Sequence, residues 1–169
     1  MKTLYILRHA KAERDSESGE DFDRPLAERG WRDAEIVGRE IRTRGFEPHA
    51  VLSSPARRAA ETVEAFERGY GPIEPTFEPG IYNAPAERLM EIVSAADGSA
   101  ERLMIVGHNP GFQELALLLE DGPGDYADRL ADGLPTAGFV AMEIDVAHWN
   151  EVSERSGRIT AMILPKELD

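Results

Sequence analysis

The stretch Leu4-Tyr5-Ile6-Leu7-Arg8-His9-Ala10 joins an apolar run to an arginine and a histidine. A second stretch, Leu103-Met104-Ile105-Val106-Gly107-His108-Asn109-Pro110, also ends an apolar run on a histidine. Apolar runs of this kind are typical of parallel strands buried on both faces. Open α/β sheets bind ligands in the crevice outside the carboxyl ends of their strands. We therefore expect His9 and His108, two of only four histidines in the chain, to lie at that edge.

A third stretch, Ser54-Pro55-Ala56-Arg57-Arg58-Ala59-Ala60-Glu61-Thr62, lies between the other two and follows a short apolar run at residues 50–53. It supplies arginine, whose planar guanidinium binds phosphate oxygens in a bidentate manner. Together with Arg8 and the two histidines it predicts a small cationic pocket. A pocket of that composition suits a phosphoryl group.

Strand and helix patterns alternate along the chain, which favours an α/β fold with helices on both faces of a sheet. We predict strands at residues 2–8, 50–53, 103–106, 138–145 and 158–164. Apolar residues at helical spacing predict helices at residues 25–45, 55–69 and 85–96 and a fourth helix around 112–119. Residues 11–24 are predicted as a loop, 73–82 as extended or irregular, and 121–133 as a loop or short helix. The expected fold is a single domain over residues 1–169, a three-layer α/β/α sandwich with a mostly parallel, mixed sheet.

Composition limits the classes of partner and of site. The net charge of −13 argues against nucleic acid and anionic membranes, because both need basic surface. The absence of cysteine excludes disulfides and thiolate metal sites. No run approaches the ~20 apolar residues of a membrane span, and the N-terminus lacks a signal-peptide pattern, so we expect a cytoplasmic protein. No metal-ligand cluster or nucleotide-binding loop is apparent, and we expect no metal and no cofactor.

The three stretches resemble, in order, the signatures of the histidine phosphatase superfamily, also called phosphoglycerate-mutase-like. Leu7-Arg8-His9-Ala10 is similar to its Arg-His-Gly motif, with Ala10 in place of the usual glycine. Ser54-Pro55-x-x-Arg58-Ala59-x-x-Thr62 and Gly107-His108-Asn109-Pro110-Gly111 resemble its second and third motifs. Asp23-Arg24-Pro25-Leu26 and Leu134-Pro135-Thr136-Ala137 further resemble the small SixA-type branch of phosphohistidine phosphatases.

The resemblance implies a phosphoglycerate-mutase-like fold and assigns roles to four residues. His9 would be the nucleophile that becomes phosphohistidine, and Arg8, Arg58 and His108 would bind the phosphoryl group. The motif register selects Arg58, and Arg57 is then a surface or rim residue. Ser54 and Thr62 match motif positions, but we interpret both as structural, with Ser54 placed to cap the helix that follows.

The general acid is not specified by these motifs. Glu78 is the nearest candidate, since many members of the superfamily carry a pocket glutamate after the second motif. Asp15, Glu17 and Asp21 in the first loop are alternatives.

The functional hypothesis is a metal-independent phosphatase that passes through a phospho-His9 intermediate. Its expected substrate is protein phosphohistidine, with a histidine phosphorelay protein as a partner suggested by the family. Two alternatives stay open: a small-metabolite phosphomonoesterase or mutase, and a module that binds a phosphorylated ligand without turnover.

Overall fold

The computed structural model describes residues 1–168 as a six-stranded mixed sheet between two layers of helices. The sheet order is β3-β2-β4-β1-β5-β6. The strands are β1 (Lys2–Arg8), β2 (Ala50–Ser53), β3 (Thr76–Phe77), β4 (Arg102–Gly107), β5 (Phe139–Ile144) and β6 (Gly157–Ile163). The helices are α1 (Glu28–Thr43), α2 (Arg57–Tyr70), α3 (Ala86–Ser94), α4 (Gly111–Leu119) and α5 (Asp125–Asp132). The predicted α/β fold with a mixed sheet is confirmed.

The first four strands run parallel, and the last two make the sheet mixed. β4 pairs in parallel with β1 and with β2, and β2 pairs in parallel with β3. β5 pairs antiparallel with β1 and with β6. β1 therefore lies inside the sheet, as its apolar sequence predicts, and its carboxyl end is next to those of β4 and β2.

Alternating residues of the inner strands fill two separate apolar cores. Leu4 and Ile6 face a core shared with α3, α4 and α5. Tyr5 and Leu7 face a core shared with α1 and α2. This alternation follows from the two-residue period of a strand. It produces the three-layer arrangement, because both faces of the sheet need a cover of helices.

Two helices begin later than the prolines predict. The chain at Pro25 is still extended, because the Pro25 carbonyl accepts the Glu13 N–H at 2.8 Å and the Leu26 N–H donates to Glu61 Oε1 at 2.8 Å. α1 therefore begins at Glu28, three residues after Pro25. α2 likewise begins at Arg57, two residues after Pro55. Residues 76–77, within the stretch predicted as extended or irregular, form β3, which pairs with β2.

Gly69 does not end α2, contrary to the sequence prediction. The helix continues to Tyr70 and ends at Gly71, whose φ of 115° suits glycine. Gly69 lies instead where α2 packs against α1, and a Cβ on it would collide with the Glu35 carbonyl oxygen. Its function is to permit the close approach of two helices.

No helix within residues 1–168 is both long enough and apolar enough to cross a membrane.

The close contact of α1 and α2 at Gly69 predicts that a side chain at this position would destabilise the fold by steric overlap. Alanine is a better helix former than glycine by about 1 kcal/mol, yet Gly69→Ala should destabilise the fold by about 1–3 kcal/mol, because the new methyl meets backbone. Gly98→Ala is the matched control, since a Cβ there meets nothing within 4 Å. Chemical denaturation of the three proteins measures the effect. Equal stability of Gly69→Ala and wild type would contradict the packing described here.

Candidate active site

The register of β1 against β4 brings His9 and His108 together. Arg8 is opposite Gly107, and the His9 N–H donates to the Gly107 carbonyl at 2.8 Å. The next residue of each chain segment is therefore a histidine, and the two ring centroids are 5.3 Å apart. Gly107 has no room for a side chain, because a Cβ would lie 2.6 Å from the Phe112 ring. The predicted meeting of the two histidines is confirmed.

His9 is held as a neutral imidazole with one nitrogen free. Its Nδ1 lies 2.8 Å from the Ala10 carbonyl oxygen, a contact that requires the proton on Nδ1. The lone pair of Nε2 is then available for attack. Burial, with smaller contributions from the Arg58 and Arg8 charges, lowers the pKa of His9 from 6.5 to about 4, while the bond to Ala10 acts in the opposite direction. The imidazole is therefore neutral at neutral pH and its Nε2 carries no proton, as a nucleophilic nitrogen requires.

His108 has one nitrogen bonded and one free. Its Nε2 lies 2.7 Å from Ser54 Oγ, and that hydroxyl also accepts the Ala56 N–H at 3.2 Å. In the tautomer that carries its proton on Nδ1, the Ser54 hydroxyl donates to Nε2 and Nδ1 is an N–H donor. Nδ1 is buried without a partner among residues 1–168. Burial first, and then the charges of His9 and Arg58, lower the pKa of His108 to about 3.

The contact with His108 corrects the interpretation of Ser54. Ser54 was expected to cap a helix that begins at Pro55, but α2 begins at Arg57 and its N-cap, Ala56, makes no side-chain cap bond. Ser54 instead orients a pocket histidine. Its buried position and its bond from the Ser54 N–H to the Val106 carbonyl place it beside the end of β4.

Arg58 is buried and Arg8 is partly buried, and each is held through outer nitrogens of its guanidinium. Arg8 Nη1 donates to the Leu134 carbonyl at 2.8 Å. Arg58 Nη1 donates to the Asp21 carbonyl at 2.8 Å, and its Nη2 donates to Asp21 Oδ2 at 3.0 Å. Both Nε atoms are buried without a partner among the described residues. Burial and the charge of Arg58 lower the pKa of Arg8, so these like charges are held together at a cost.

Three buried nitrogens are therefore left unpaired around His9: Arg8 Nε, Arg58 Nε and His108 Nδ1. Buried polar groups in folded proteins nearly always have a hydrogen-bond partner. The oxygens of a bound anion are acceptors of the kind that unpaired N–H groups require. The arrangement can bind a phosphoryl group next to the free nitrogen of His9.

Thr62 joins two parts of the site. Its hydroxyl accepts the Ala10 N–H at 2.9 Å and donates to the Arg58 carbonyl at 2.6 Å. These bonds tie the end of β1 to the first turn of α2, in keeping with the structural role expected for this residue. Arg57 points away from the site, where it is exposed and forms an ion pair with Glu61 at 3.2 Å.

The candidate acids are placed differently from one another. Glu78 Oε1 accepts the Gly80 N–H at 2.9 Å and caps the short 3-10 helix Pro79–Ile81. Asp15 and Glu17 are exposed. Asp21 contacts Arg58 directly, so the structure brings one residue of the first loop into the site. The role of Glu78 as an acid stays a prediction.

The structure adds groups that sequence patterns could not single out. Leu134 contributes a carbonyl oxygen to Arg8, and that same oxygen accepts from Asn109 Nδ2 at 2.9 Å. The Tyr82 hydroxyl donates to Asp21 Oδ2 at 2.7 Å, and the Tyr82 ring centroid lies 5.5 Å from that of His108. The only available signal was the Leu134-Pro135-Thr136-Ala137 motif, which marked the segment but not its carbonyl.

A cavity of about 590 Å³ opens beside Arg8. Its walls come from α4, α5 and the end of β6, and they carry the charged residues Arg129, Asp132, Lys166 and Glu167. Arg129 and Glu167 form an ion pair at 3.0 Å across it. The cavity has the size of a small-ligand site and is adjacent to one of the two arginines.

Comparison with known proteins identifies related chains. Residues 4–91 match the model of the histidine phosphatase superfamily (branch 1). An uncharacterized protein of Mycobacterium tuberculosis (strain ATCC 25618 / H37Rv) is 29% identical over 95% of this chain and 100% of its own length. The crystal structure of an Agrobacterium tumefaciens protein assigned as a SixA phosphohistidine phosphatase is 29% identical, with a TM-score of 0.81 over 97% of this chain and 98% of that one.

A mycobacterial glucosyl-3-phosphoglycerate phosphatase has the same fold. It is 16% identical, with a TM-score of 0.66 over 95% of this chain and 97% of its own.

The burial of the two histidines predicts how they titrate. NMR titration of the ring resonances, assigned with His9→Ala and His108→Ala, should show His9 protonating with a midpoint of about 4 and His108 with one of about 3. Both values lie below 6.5 because the charged form is poorly solvated there. Saturation with inorganic phosphate should raise both midpoints, since an anion stabilises imidazolium. Midpoints near 6.5 in the free protein would show that the two imidazole rings are well solvated and contradict their burial.

Proposed function

This chain is a phosphatase of the histidine phosphatase superfamily, from its SixA-type branch, and we propose that it hydrolyses protein phosphohistidine through a phospho-His9 intermediate without a metal ion. The observation that carries the proposal is the set of three unpaired buried donors around the free Nε2 of His9. N–H donors beside a free imidazole nitrogen are the groups that binding and attack of a phosphoryl group require.

The first step would transfer the phosphoryl group to the enzyme. His9 Nε2 attacks phosphorus and forms a P–N bond, while the P–N bond to the substrate imidazole breaks. The substrate imidazole leaves with the electron pair and takes a proton. Arg8, Arg58 and His108 bind the oxygens on which charge is spread in the transition state, and most of the catalysis in such transfers is positioning and electrostatic stabilisation.

The second step would release phosphate. A water molecule attacks phospho-His9, forms a P–O bond and gives up a proton, while the P–N bond to Nε2 breaks. His9 returns to the neutral form with its proton on Nδ1, because the Ala10 carbonyl stays in place to accept it. The products are inorganic phosphate and free enzyme.

Glu78 is our candidate for the group that exchanges protons in these steps. Asp21 is less suitable, because its hydrogen bond from Tyr82 and its contacts with Arg24 and Arg58 hold the pKa of this carboxyl far below its usual range. An ionised carboxylate cannot donate a proton. A phosphoramidate substrate also needs less assistance from a general acid than a phosphoester does.

The charge of the pocket supports metal independence. The charges that act on His9 are those of the Arg58, Arg8 and Arg24 guanidinium ions, and the ring of a second histidine, His108, lies 5.3 Å from its own. Such a donor set attracts an anion and repels a metal cation. The arginines would supply the positive charge that a metal supplies in other phosphatases.

A direct assay tests the proposal. Phosphate release from a phosphohistidine-bearing peptide should proceed in EDTA with wild type and fall at least 1,000-fold with His9→Ala, because the nucleophile is lost. His148→Ala is the matched control, since that histidine is exposed and outside the site. Acid-labile phosphate should become attached to wild type and not to His9→Ala.

Retention of activity by His9→Ala would falsify the covalent route. Loss of wild-type activity in EDTA would contradict the proposal that the enzyme needs no metal ion. Tight binding of the phosphopeptide with no release of phosphate would instead favour a binding module.

A small phosphorylated metabolite is a second candidate substrate, and the cavity beside Arg8 favours it. Lys166 forms no ion pair among the described residues and lines that cavity with Arg129. Because Arg129 is paired with Glu167, Lys166 is the residue that suits a second anionic group of a substrate, such as that of a phosphorylated hydroxy acid.

Charge reversal in the cavity separates the two candidates. If the substrate is protein phosphohistidine, wild type should prefer the phosphopeptide to 3-phosphoglycerate in kcat/KM, and Lys166→Glu should keep that preference. Activity on 3-phosphoglycerate should fall about fivefold or more in Lys166→Glu, from loss of one charge contact near the surface. A higher kcat/KM for the metabolite in wild type would overturn the preferred substrate and leave the phosphatase mechanism intact.

A further inference from the structure

We propose that Asp21 is a positioning residue that holds the Arg58 guanidinium with its Nε edge turned to the phosphoryl group. The inference rests on the proposed phosphate site and adds a part that no motif supplies. It also assigns a role to the acidic first loop, residues 11–24, because Asp21 joins that loop to the pocket.

The geometry of the arginine carries the inference. A guanidinium has five N–H donors in a rigid plane, which form an outer edge of Nη1 with Nη2 and a side edge of Nη2 with Nε. Asp21 occupies the outer edge with two different atoms: its carbonyl oxygen accepts from Nη1 at 2.8 Å and its carboxylate from Nη2 at 3.0 Å. The side edge stays free, and its Nε is buried without a partner among residues 1–168. Asp21 therefore fixes the plane of the guanidinium without using its Nε.

Arg8 shows the same division of its donors. Its Nη1 is held by the Leu134 carbonyl and its Nε is buried and unpaired. Each arginine is thus held through outer nitrogens and keeps an unpaired Nε, so the two could bind the same anion. The holder of Arg8 is a neutral carbonyl, whereas the holder of Arg58 carries a charge.

Asp21 is itself fixed by two neighbours. The Tyr82 hydroxyl donates to the same Oδ2 at 2.7 Å, and Arg24 donates to Oδ1 at 3.0 Å. The Tyr82 ring also lies over the Arg58 guanidinium at 6.0 Å and meets Phe22 edge-to-face at 5.1 Å. The carboxylate is thus tied to both arginine and tyrosine, although half of its side-chain surface is exposed.

The contact is specific to Asp21 within its loop. Within residues 1–168, no other carboxylate forms an ion pair with Arg8 or Arg58. Glu13, Asp15, Glu17 and Glu20 are all exposed. The ion pair persists in acid, because the pKa of Asp21 is held well below its usual range.

An alternative role for the contact between Asp21 and Arg58 predicts the opposite effect on anion binding. A carboxylate on Arg58 could compete with phosphate for the arginine, and its removal would then tighten anion binding. The free Nε edge argues against competition, because Asp21 and the anion use different edges of the guanidinium.

The test compares anion binding and turnover in loop variants. Calorimetric titration with inorganic phosphate should show binding about tenfold weaker in Asp21→Ala than in wild type, as expected for loss of a hydrogen bond to a charged group. Asp21→Asn keeps an acceptor for Nη2 and should recover part of the loss. Tyr82→Phe, which frees the carboxylate and keeps the ring, should weaken binding to a smaller extent. Asp15→Ala, the matched control, should bind phosphate as wild type does.

Two further readouts separate positioning from a general structural role. In an Arg58→Ala background, Asp21→Ala should have no further effect on phosphate binding, because coupled residues are not additive. Asp21→Ala should lower kcat as well as kcat/KM, since Arg58 acts in the transition state. The midpoint of thermal unfolding should stay close to that of wild type.

Tighter phosphate binding by Asp21→Ala would overturn the proposal in favour of competition. Unchanged binding, or a full additive loss in the Arg58→Ala background, would also overturn it. If Arg58→Ala binds phosphate as well as wild type does, the phosphate site itself is wrong and both proposals fail, an outcome distinct from a failure of Asp21 alone.

Discussion

The hydrogen bond from the His9 N–H to the Gly107 carbonyl, at 2.8 Å, continues the parallel pairing of β1 and β4 one residue beyond the strand. Every other feature of the site depends on this register. A slip by one residue would turn the side chains of β1 to the opposite face of the sheet. Both apolar cores oppose such a slip, because Leu4 and Ile6 belong to one core and Tyr5 and Leu7 to the other. Packing far from the pocket thus fixes the distance between the two histidines.

The site is locally positive, because it contains two arginines, although the chain as a whole has a net charge of −13. Burial makes that charge effective, because a low-dielectric surrounding strengthens electrostatic contacts with a bound anion. Burial also makes the charge costly, and the lowered pKa values of Arg8, His9 and His108 record this cost. The two histidines respond by staying neutral, whereas the two arginines cannot. The unpaired donors are then free for the phosphoryl oxygens, while Asp21 and the Leu134 carbonyl hold the outer nitrogens.

Neutral histidine and charged arginine divide the chemistry between them. A neutral imidazole with Nδ1 bonded to a carbonyl can use only Nε2 for attack. Ser54 imposes a complementary constraint on His108, since its hydroxyl contacts Nε2 and leaves Nδ1 as the nitrogen without a protein partner among the described residues. The two rings therefore present different nitrogens to the same region, one as nucleophile and one as hydrogen-bond donor. Backbone carbonyls and one hydroxyl produce this difference, although the two side chains are chemically identical.

The order of strands and helices and the two histidines at strand ends could be predicted from the sequence, since both follow from local apolar periods. Arg58 was distinguished from Arg57 by motif register, because a step of one residue turns a helix by about 100° and only one arginine can face inward. The same local reasoning failed at Gly69, at Pro25 and at Ser54, where a contact with a distant segment outweighs the local preference. Asp21 and Tyr82, 61 positions apart, meet at Arg58 in a way that no period or spacing encodes. The sequence by itself determined which elements form and which groups end the strands. The tertiary structure alone decided which nitrogens of those groups stay free, because that depends on partners brought in from irregular segments.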